Sequence, residues 1–238
     1  AWVGCIILVS DTTYSKYFRR WISKVVPPKG GIFFESICLF LFPYMKIITW
    51  NCNMAFRKKA PAILEHQPDI LVIPECEHPD KLLFANGIPK PADMLWFGNN
   101  RHKGLGIFSY SNFKLRALEC HNPLFRTIVP ILVKRGRSQF TLYAVWAHNP
   151  DDRDGRYITQ VWKAIHCYDE LLTNKKTFLV GDFNSNTIWD RPRREGNHSH
   201  VVKRLEEKGI FSVYHKHFSQ LQGKEQHPTF YLYKHEDK

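Results

Sequence analysis

From Met45 onward the apolar positions of the chain follow two rhythms. Lys46–Trp50 is a short apolar strand, and Phe56, Ala60, Ile63 and Leu64 then fall at i, i+4, i+7 and i+8, the spacing of one helix face. Asp69–Pro74 carries four apolar residues in a row (Ile70, Leu71, Val72, Ile73), the mark of a strand covered on both faces. Shorter strands are expected over Met94–Phe97, Leu105–Ser109, Lys114–Leu118, Arg126–Val133 and Gln139–Trp146, with Gly, Pro, Asn and Ser between them. Tyr157, Val161, Trp162, Ile165, Tyr168 and Leu172 line one side of a helix over Gly155–Leu172. Thr177–Val180 reads as a strand, Ser199–Glu207 as a helix, and Phe211–Tyr214 and Thr229–Tyr233 as two late strands. Strand runs mixed with helices in this way argue an α/β sandwich with more than one sheet rather than a simple alternating unit.

Residues 1–44 have another texture. A basic stretch (Arg19, Arg20, Lys24), a Pro27-Pro28-Lys29-Gly30-Gly31 breaker and the apolar run Ile32–Tyr44 precede the first clear strand. That run is shorter than the about 20 apolar residues a membrane-spanning helix needs, and no small-x-small cleavage site follows it. With Met45 directly before the Lys46 strand, the expectation is a leader over 1–44 that is not part of the domain, and a domain over 45–238 that starts at Met45.

The chain of 238 residues is 44% hydrophobic, enough to bury a sizeable core. Its formal charge of +12 makes polyanions the natural partners: nucleic acid, an anionic surface or a phosphorylated small molecule. The six cysteines are scattered without a C-x-x-C pair, which argues against a zinc knuckle or a disulfide scaffold. Reduced thiols, a cytoplasmic setting and a monomer are expected.

Four strands end alike. Ile47-Ile48-Thr49-Trp50 runs into Asn51, Ile70–Pro74 into Glu75, Leu142–Ala147 into His148, and Phe178-Leu179-Val180-Gly181 into Asp182-Phe183-Asn184. Polar residues at the carboxyl ends of buried strands meet on one rim of a sheet. Two carboxylates, two carboxamides and an imidazole in one cleft suit phosphate ester hydrolysis, because an anionic substrate repels hydroxide and needs a cation beside it. An oxygen-rich set without thiolate favours Mg²⁺ or Mn²⁺. Such an ion polarises the phosphoryl group, while a second carboxylate orients the attacking water.

The same segments resemble, in order, the motifs of the endonuclease/exonuclease/phosphatase superfamily. Thr49-Trp50-Asn51-Cys52-Asn53 is similar to its T/S-W-N-x-N/D opening, and Asp69–Glu75 to its D-I-ϕ-ϕ-ϕ-Q-E strand. Gly104–Ser109 is similar to G-x-G/A-ϕ-ϕ-S, Ala147-His148 to T-H, Gly181–Asn184 to G-D-F/L-N, and His227-Pro228-Thr229-Phe230 to the late P-T-F/Y strand. The resemblance implies a four-layer α/β sandwich of two packed mixed sheets flanked by helices, incomplete at its C-terminus. It implies a metal-dependent phosphoesterase, closest in type to the deoxyribonuclease-like branch. Glu75 would be the principal metal ligand with Asn51 beside it, Asp182 would activate the water, Asn184 would contact the phosphate, and His148 would touch the scissile phosphate or donate a proton.

Two departures stand out. Pro74 replaces the usual Gln, and the family's I-D-Y and S-D-H segments do not occur before Lys238, so a truncated chain with little turnover is expected. Nuclease action on DNA or RNA is the leading expectation, and a sugar, inositol or lipid phosphatase is the variant within the same chemistry. An inactive fragment or a basic nucleic-acid-binding module is the alternative from another class. The pairs His198-x-His200 and His215-x-His217 read as surface residues, and Trp189–Arg194 as a solvated basic loop with arginines within reach of a phosphate.

Overall fold

A computed structural model describes the backbone of residues 5–10 and 37–41, and residues 45–84, 88–148, 157–173 and 176–227 with their side chains. Eleven strands are found among them: β1 (Cys5–Ser10), β2 (Ile37–Leu41), β3 (Met45–Thr49), β4 (Ile70–Cys76), β5 (Asp93–Asn100), β6 (Lys103–Ser109), β7 (Lys114–Ala117), β8 (Ile128–Arg135), β9 (Ser138–Trp146), β10 (Thr177–Asp182) and β11 (Ile210–Ser212). They form one sheet in the order β11-β1-β10-β9-β8-β7 and a second in the order β2-β3-β4-β6-β5. Each sheet is mixed, and each has one parallel pair at its heart, β9 with β10 and β3 with β4.

The alternation of side chains explains the layers. In β4, Ile70 and Val72 join a core between the sheets that also takes Leu142, Ala144 and Trp146 of β9 and Phe178 and Val180 of β10. The intervening residues face the other way. Leu71 and Ile73 pack with Phe56, Ala60 and Ile63 of helix α1 (Phe56–Leu64), while Tyr143, Val145 and Leu179 pack with helices α2 (Ile158–Cys167) and α3 (His198–Glu207). A strand apolar on both faces is therefore covered on both faces, and each such side chain contributes about 1.5–3 kcal/mol by leaving water. The expected four-layer sandwich, helix on sheet on sheet on helix, is what is found.

Two segments before Met45 pair with strands of the two sheets. β1 lies between β10 and β11, antiparallel to both, and β2 pairs antiparallel with β3 from Ile37↔Thr49 to Leu41↔Met45. Strand pairing thus crosses the boundary expected at Met45. Cys5-Ile6-Ile7-Leu8-Val9 and Ile37-Cys38-Leu39-Phe40-Leu41 are apolar runs of interior-strand length, a signal masked by the basic and Pro-Gly residues between them.

A smaller correction falls late in the chain. The strand expected over Phe211–Tyr214 ends at Ser212, where the Ser212 Oγ accepts from the His215 N–H and opens the short helix α4 (Val213–Phe218). Thr229–Tyr233 lies outside the described residues. Among the described residues no helix is long and apolar enough to cross a membrane.

Candidate active site

The two parallel pairs bring their carboxyl ends to one place. Beyond β3, the Asn51 Oδ1 accepts from the Asn53 N–H at 3.0 Å, which turns its NH2 toward the carboxylates. That NH2 donates to Asp182 Oδ2 at 2.9 Å and lies 3.4 Å from Glu75 Oε1. One carboxamide from the β2–β5 sheet thus touches the carboxylate that ends its own parallel partner and the one that ends β10 in the facing sheet.

Glu75 reaches this position through a distorted strand. The register of β4 against β6 shifts between Pro74 and Cys76, and Glu75 sits in the bulge with φ +55°. A left-handed backbone at a residue other than Gly costs of order 1–3 kcal/mol and persists only where surrounding bonds enforce it. Here they do: the Glu75 carbonyl accepts from Met54 N at 3.0 Å and Cys52 Sγ at 3.3 Å, and the Pro74 carbonyl accepts from Cys52 N. Pro74, which lacks an N–H, falls at the irregularity where proline is best tolerated in a sheet. The Trp96 Nε1–H donates to the Cys76 carbonyl at 3.2 Å, and its ring lies over Gly104, where a Cβ would come within 2.3 Å of it.

Asp182 is 4% exposed. Its Oδ1 accepts from Asn184 N at 2.8 Å, and its Oδ2 from Asn51 and from Asn184 Nδ2 at 3.1 Å. Burial pushes its pKa up to about 6, and the charge of Glu75 pushes the same way, against the lowering hydrogen bonds from Asn51 and Asn184. The strand arrives here only because residue 181 is Gly. A Cβ there would lie 1.8 Å from the Val145 carbonyl oxygen of β9, at φ +146°.

The two remaining expected residues take different places. The Asn184 NH2 donates to Asp182 and to the Ala147 carbonyl at 2.8 Å, so in this arrangement both of its N–H groups are engaged. His148, half-buried, packs edge-on to Trp146 with ring centroids 4.6 Å apart. Burial and the nearby cations Lys103 and Arg126 hold its pKa below 6.5, so its imidazole is neutral at pH 7.

Sequence reading missed Glu77, which is 2% exposed. Its Oε2 accepts from Phe56 N at 2.8 Å and its Oε1 from Arg57, so it caps α1 and ties the Asn51 loop to β4. Its partners lie 20 and 21 residues away, out of reach of any local motif. Lys103 and Arg126 were missed for the same reason, since only the fold brings them beside His148.

Among the described residues no cluster of three or more His, Cys, Asp or Glu stands poised around a cation. Two carboxylates with a carboxamide nevertheless match the way Mg²⁺ is held, by one or two carboxylates with water and phosphate oxygens completing its shell. Buried Asp182 is repelled by half-buried Glu75 and, among the described residues, has no cationic partner, so a dication would supply the counter-charge.

The sequence model of the Endonuclease/Exonuclease/phosphatase family matches residues 48–228. The chain belongs to this family. Members of the Endonuclease/Exonuclease/phosphatase family are hydrolases of phosphate esters and generally use divalent metals. No curated protein matches the chain. Among solved structures it is similar to the endonuclease domain of TRAS1, a telomere-specific non-LTR retrotransposon (14% identity over 70% of this chain and 71% of that one, TM-score 0.47). It is also similar to the 3'-5' exonuclease NExo from Neisseria meningitidis (22%, 69% and 71%, TM-score 0.47) and to an endonuclease/exonuclease/phosphatase family protein from Leptotrichia buccalis (18%, 72% and 75%, TM-score 0.45).

Proposed function

We propose that this chain is a divalent-metal-dependent phosphodiesterase acting as a nuclease. The observation that carries the reading is the single carboxamide of Asn51 placed against both Glu75 and Asp182 at the meeting point of the two sheets. Glu75 and Asn51 would hold Mg²⁺ or Mn²⁺, which when bound supplies positive charge to the phosphoryl oxygens. Because the Asn51 NH2 faces the carboxylates, its oxygen meets a cation only after the amide rotates. Asp182, with a pKa of about 6, is ionised at neutral pH yet still basic enough to take a proton from an attacking water. Asn184 fixes the direction of that carboxylate. Neutral His148 offers a hydrogen bond to the phosphate, and Lys103 and Arg126 draw the anion toward it.

Mn²⁺ binding, followed by electron paramagnetic resonance, and hydrolysis of bis-p-nitrophenyl phosphate and of labelled DNA and RNA test this reading together. Glu75→Ala should weaken Mn²⁺ binding and remove any hydrolysis, and Mn²⁺ binding indifferent to that substitution would sink the proposal. The +12 charge supports one other reading, a basic module that holds nucleic acid without cutting it. Such a module would bind with the same affinity in EDTA and in the Glu75→Ala variant, and would weaken only with salt.

A further inference from the structure

The loop after Asp182 carries an aromatic side chain that the fold holds still and leaves uncovered. Asn186, 5% exposed, organises the turn Thr187–Trp189: its Oδ1 accepts from Ile188 N at 3.1 Å and its carbonyl from Trp189 N at 3.1 Å. The turn is braced from behind. The Glu225 Oε1 accepts from Asn186 Nδ2 (3.2 Å), Gly223 N (2.9 Å) and His215 Nε2 (2.8 Å), and His215 is held in turn by Ser212. Gly223, at φ +80°, packs so closely that a Cβ there would lie 2.5 Å from Thr187 Oγ1. Beyond the turn, Asp190 accepts from His198 N and Ser199 N and closes the start of α3.

On this braced turn Ile188 is 50% and Trp189 38% exposed. Trp50, Trp96, Trp146 and Trp162 each have a cation, ring or carbonyl partner, whereas among the described residues the Trp189 indole has none. The next cations are equally uncommitted. Arg191 and Arg193 are exposed and, among the described residues, have no carboxylate partner, while Arg194 is spent on Thr159 and the neighbouring acids Asp190 and Glu195 are engaged by α3 and by Trp162. A single exposed apolar residue is ordinary. A pre-ordered indole flanked by free guanidinium groups, seven residues from the reacting carboxylate and so within about 25 Å of it, is what a base needs to stack on while its backbone meets positive charge.

We propose that Trp189, with Arg191 and Arg193, is a ledge for an unpaired base of a single-stranded nucleic acid whose phosphate lies at the Asp182 site. The inference rests on the nuclease reading and assigns it a substrate class. Fluorescence anisotropy of the whole chain in EDTA, where no strand is cut, tests it with a labelled single-stranded oligonucleotide, the corresponding duplex, inorganic polyphosphate and anionic vesicles. Trp189→Ala should weaken single-strand binding about tenfold and polyphosphate binding not at all, Trp189→Phe should restore most of the loss, and Arg191→Ser with Arg193→Ser should weaken both. Single-strand binding unchanged in Trp189→Ala overturns the ledge. So does a loss shared equally by duplex or polyphosphate, or vesicle binding that depends on Trp189. Mn²⁺ binding at Glu75, measured on the same variants, fails or holds independently, so the loss of one conclusion is not the loss of the other.

Discussion

Asp182 is an expensive residue to bury without a cation. Its pKa rises from 3.8 to about 6, chiefly through burial, with Glu75 adding to the rise. A carboxyl whose folded value lies above its unfolded one binds its proton more tightly in the folded chain, so the stability it contributes is present at low pH and is lost as pH climbs through about 6. A shift of about two units corresponds to about 3 kcal/mol, or roughly 6–12 °C in Tm for a chain of this size. The side chain is fully buried, so solvent screening does not reduce the figure. Asp182→Asn removes the titration. It also exchanges three accepted hydrogen bonds for the single acceptor oxygen of an amide, but that offset does not vary with pH. Unfolding free energies from urea titrations in EDTA, wild type minus Asp182→Asn, should therefore fall by about 3 kcal/mol from about pH 3 to about pH 7 and then level off. Added Mg²⁺ at about pH 8 should recover stability in the wild type and not in the variant. A difference that stays flat across that range, or rises with pH, would refute both the burial argument and the electrostatic case for a cation.

Gly181→Ala should destabilise the chain by 3 kcal/mol or more, roughly, since the added methyl meets the Val145 carbonyl rather than a movable side chain, and a thermal melt unchanged from wild type would contradict the strand approach. Glu77→Ala should cost about 2 kcal/mol by uncapping α1 and freeing Arg57, read by urea denaturation, with Mn²⁺ affinity lowered as the Asn51 loop loosens. Asn51→Ala removes a donor that lowers the Asp182 pKa, so the pH midpoint of the stability difference should move upward. Lys103→Met removes a cation that depresses His148, and the imidazole titration, followed by NMR, should shift to higher pH.

The expected site residues that the fold sends to one rim are those whose position is written in their neighbours. Asn51, Glu75, His148 and Asp182 each follow an apolar run, and a run that long must become a buried strand, so its end must be a rim. The Gly before Asp182 was readable as part of a motif, yet its reason, the approach of Val145, appears only in three dimensions. The strands β1 and β2 show the opposite failure. Their apolar runs were visible, but the basic and breaker residues between them outweighed the pattern, and nothing local says that an isolated run will find a partner more than 170 residues away at Asp182. Glu77 was overlooked because it stands beside a more conspicuous carboxylate and acts on a helix whose N-cap residue, Ala55, supplies no side-chain cap. His198 and His215, expected on the surface, are mostly buried, their rings taken by Gln222 and by Ser212 and Glu225.

Why the site sits where it does follows from the two parallel pairs. Antiparallel neighbours send their carboxyl ends to opposite rims, so a sheet gathers two polar strand ends side by side only where neighbouring strands run the same way. Each sheet has one such pair, and the pairs carry Asn51 with Glu75 and His148 with Asp182. Packing the sheets face to face through Ile70, Val72, Leu142 and Val180 then sets one rim against the other, and the hydrogen bond from Asn51 to Asp182 crosses the seam. The apolar core thus brings both carboxylates to the Asn51 amide, where the charge of Glu75 disfavours ionisation of Asp182. The pKa of Asp182, raised chiefly by burial and further by the charge of Glu75, reflects that placement. Under the proposed reading a dication would supply the opposite charge at that meeting point.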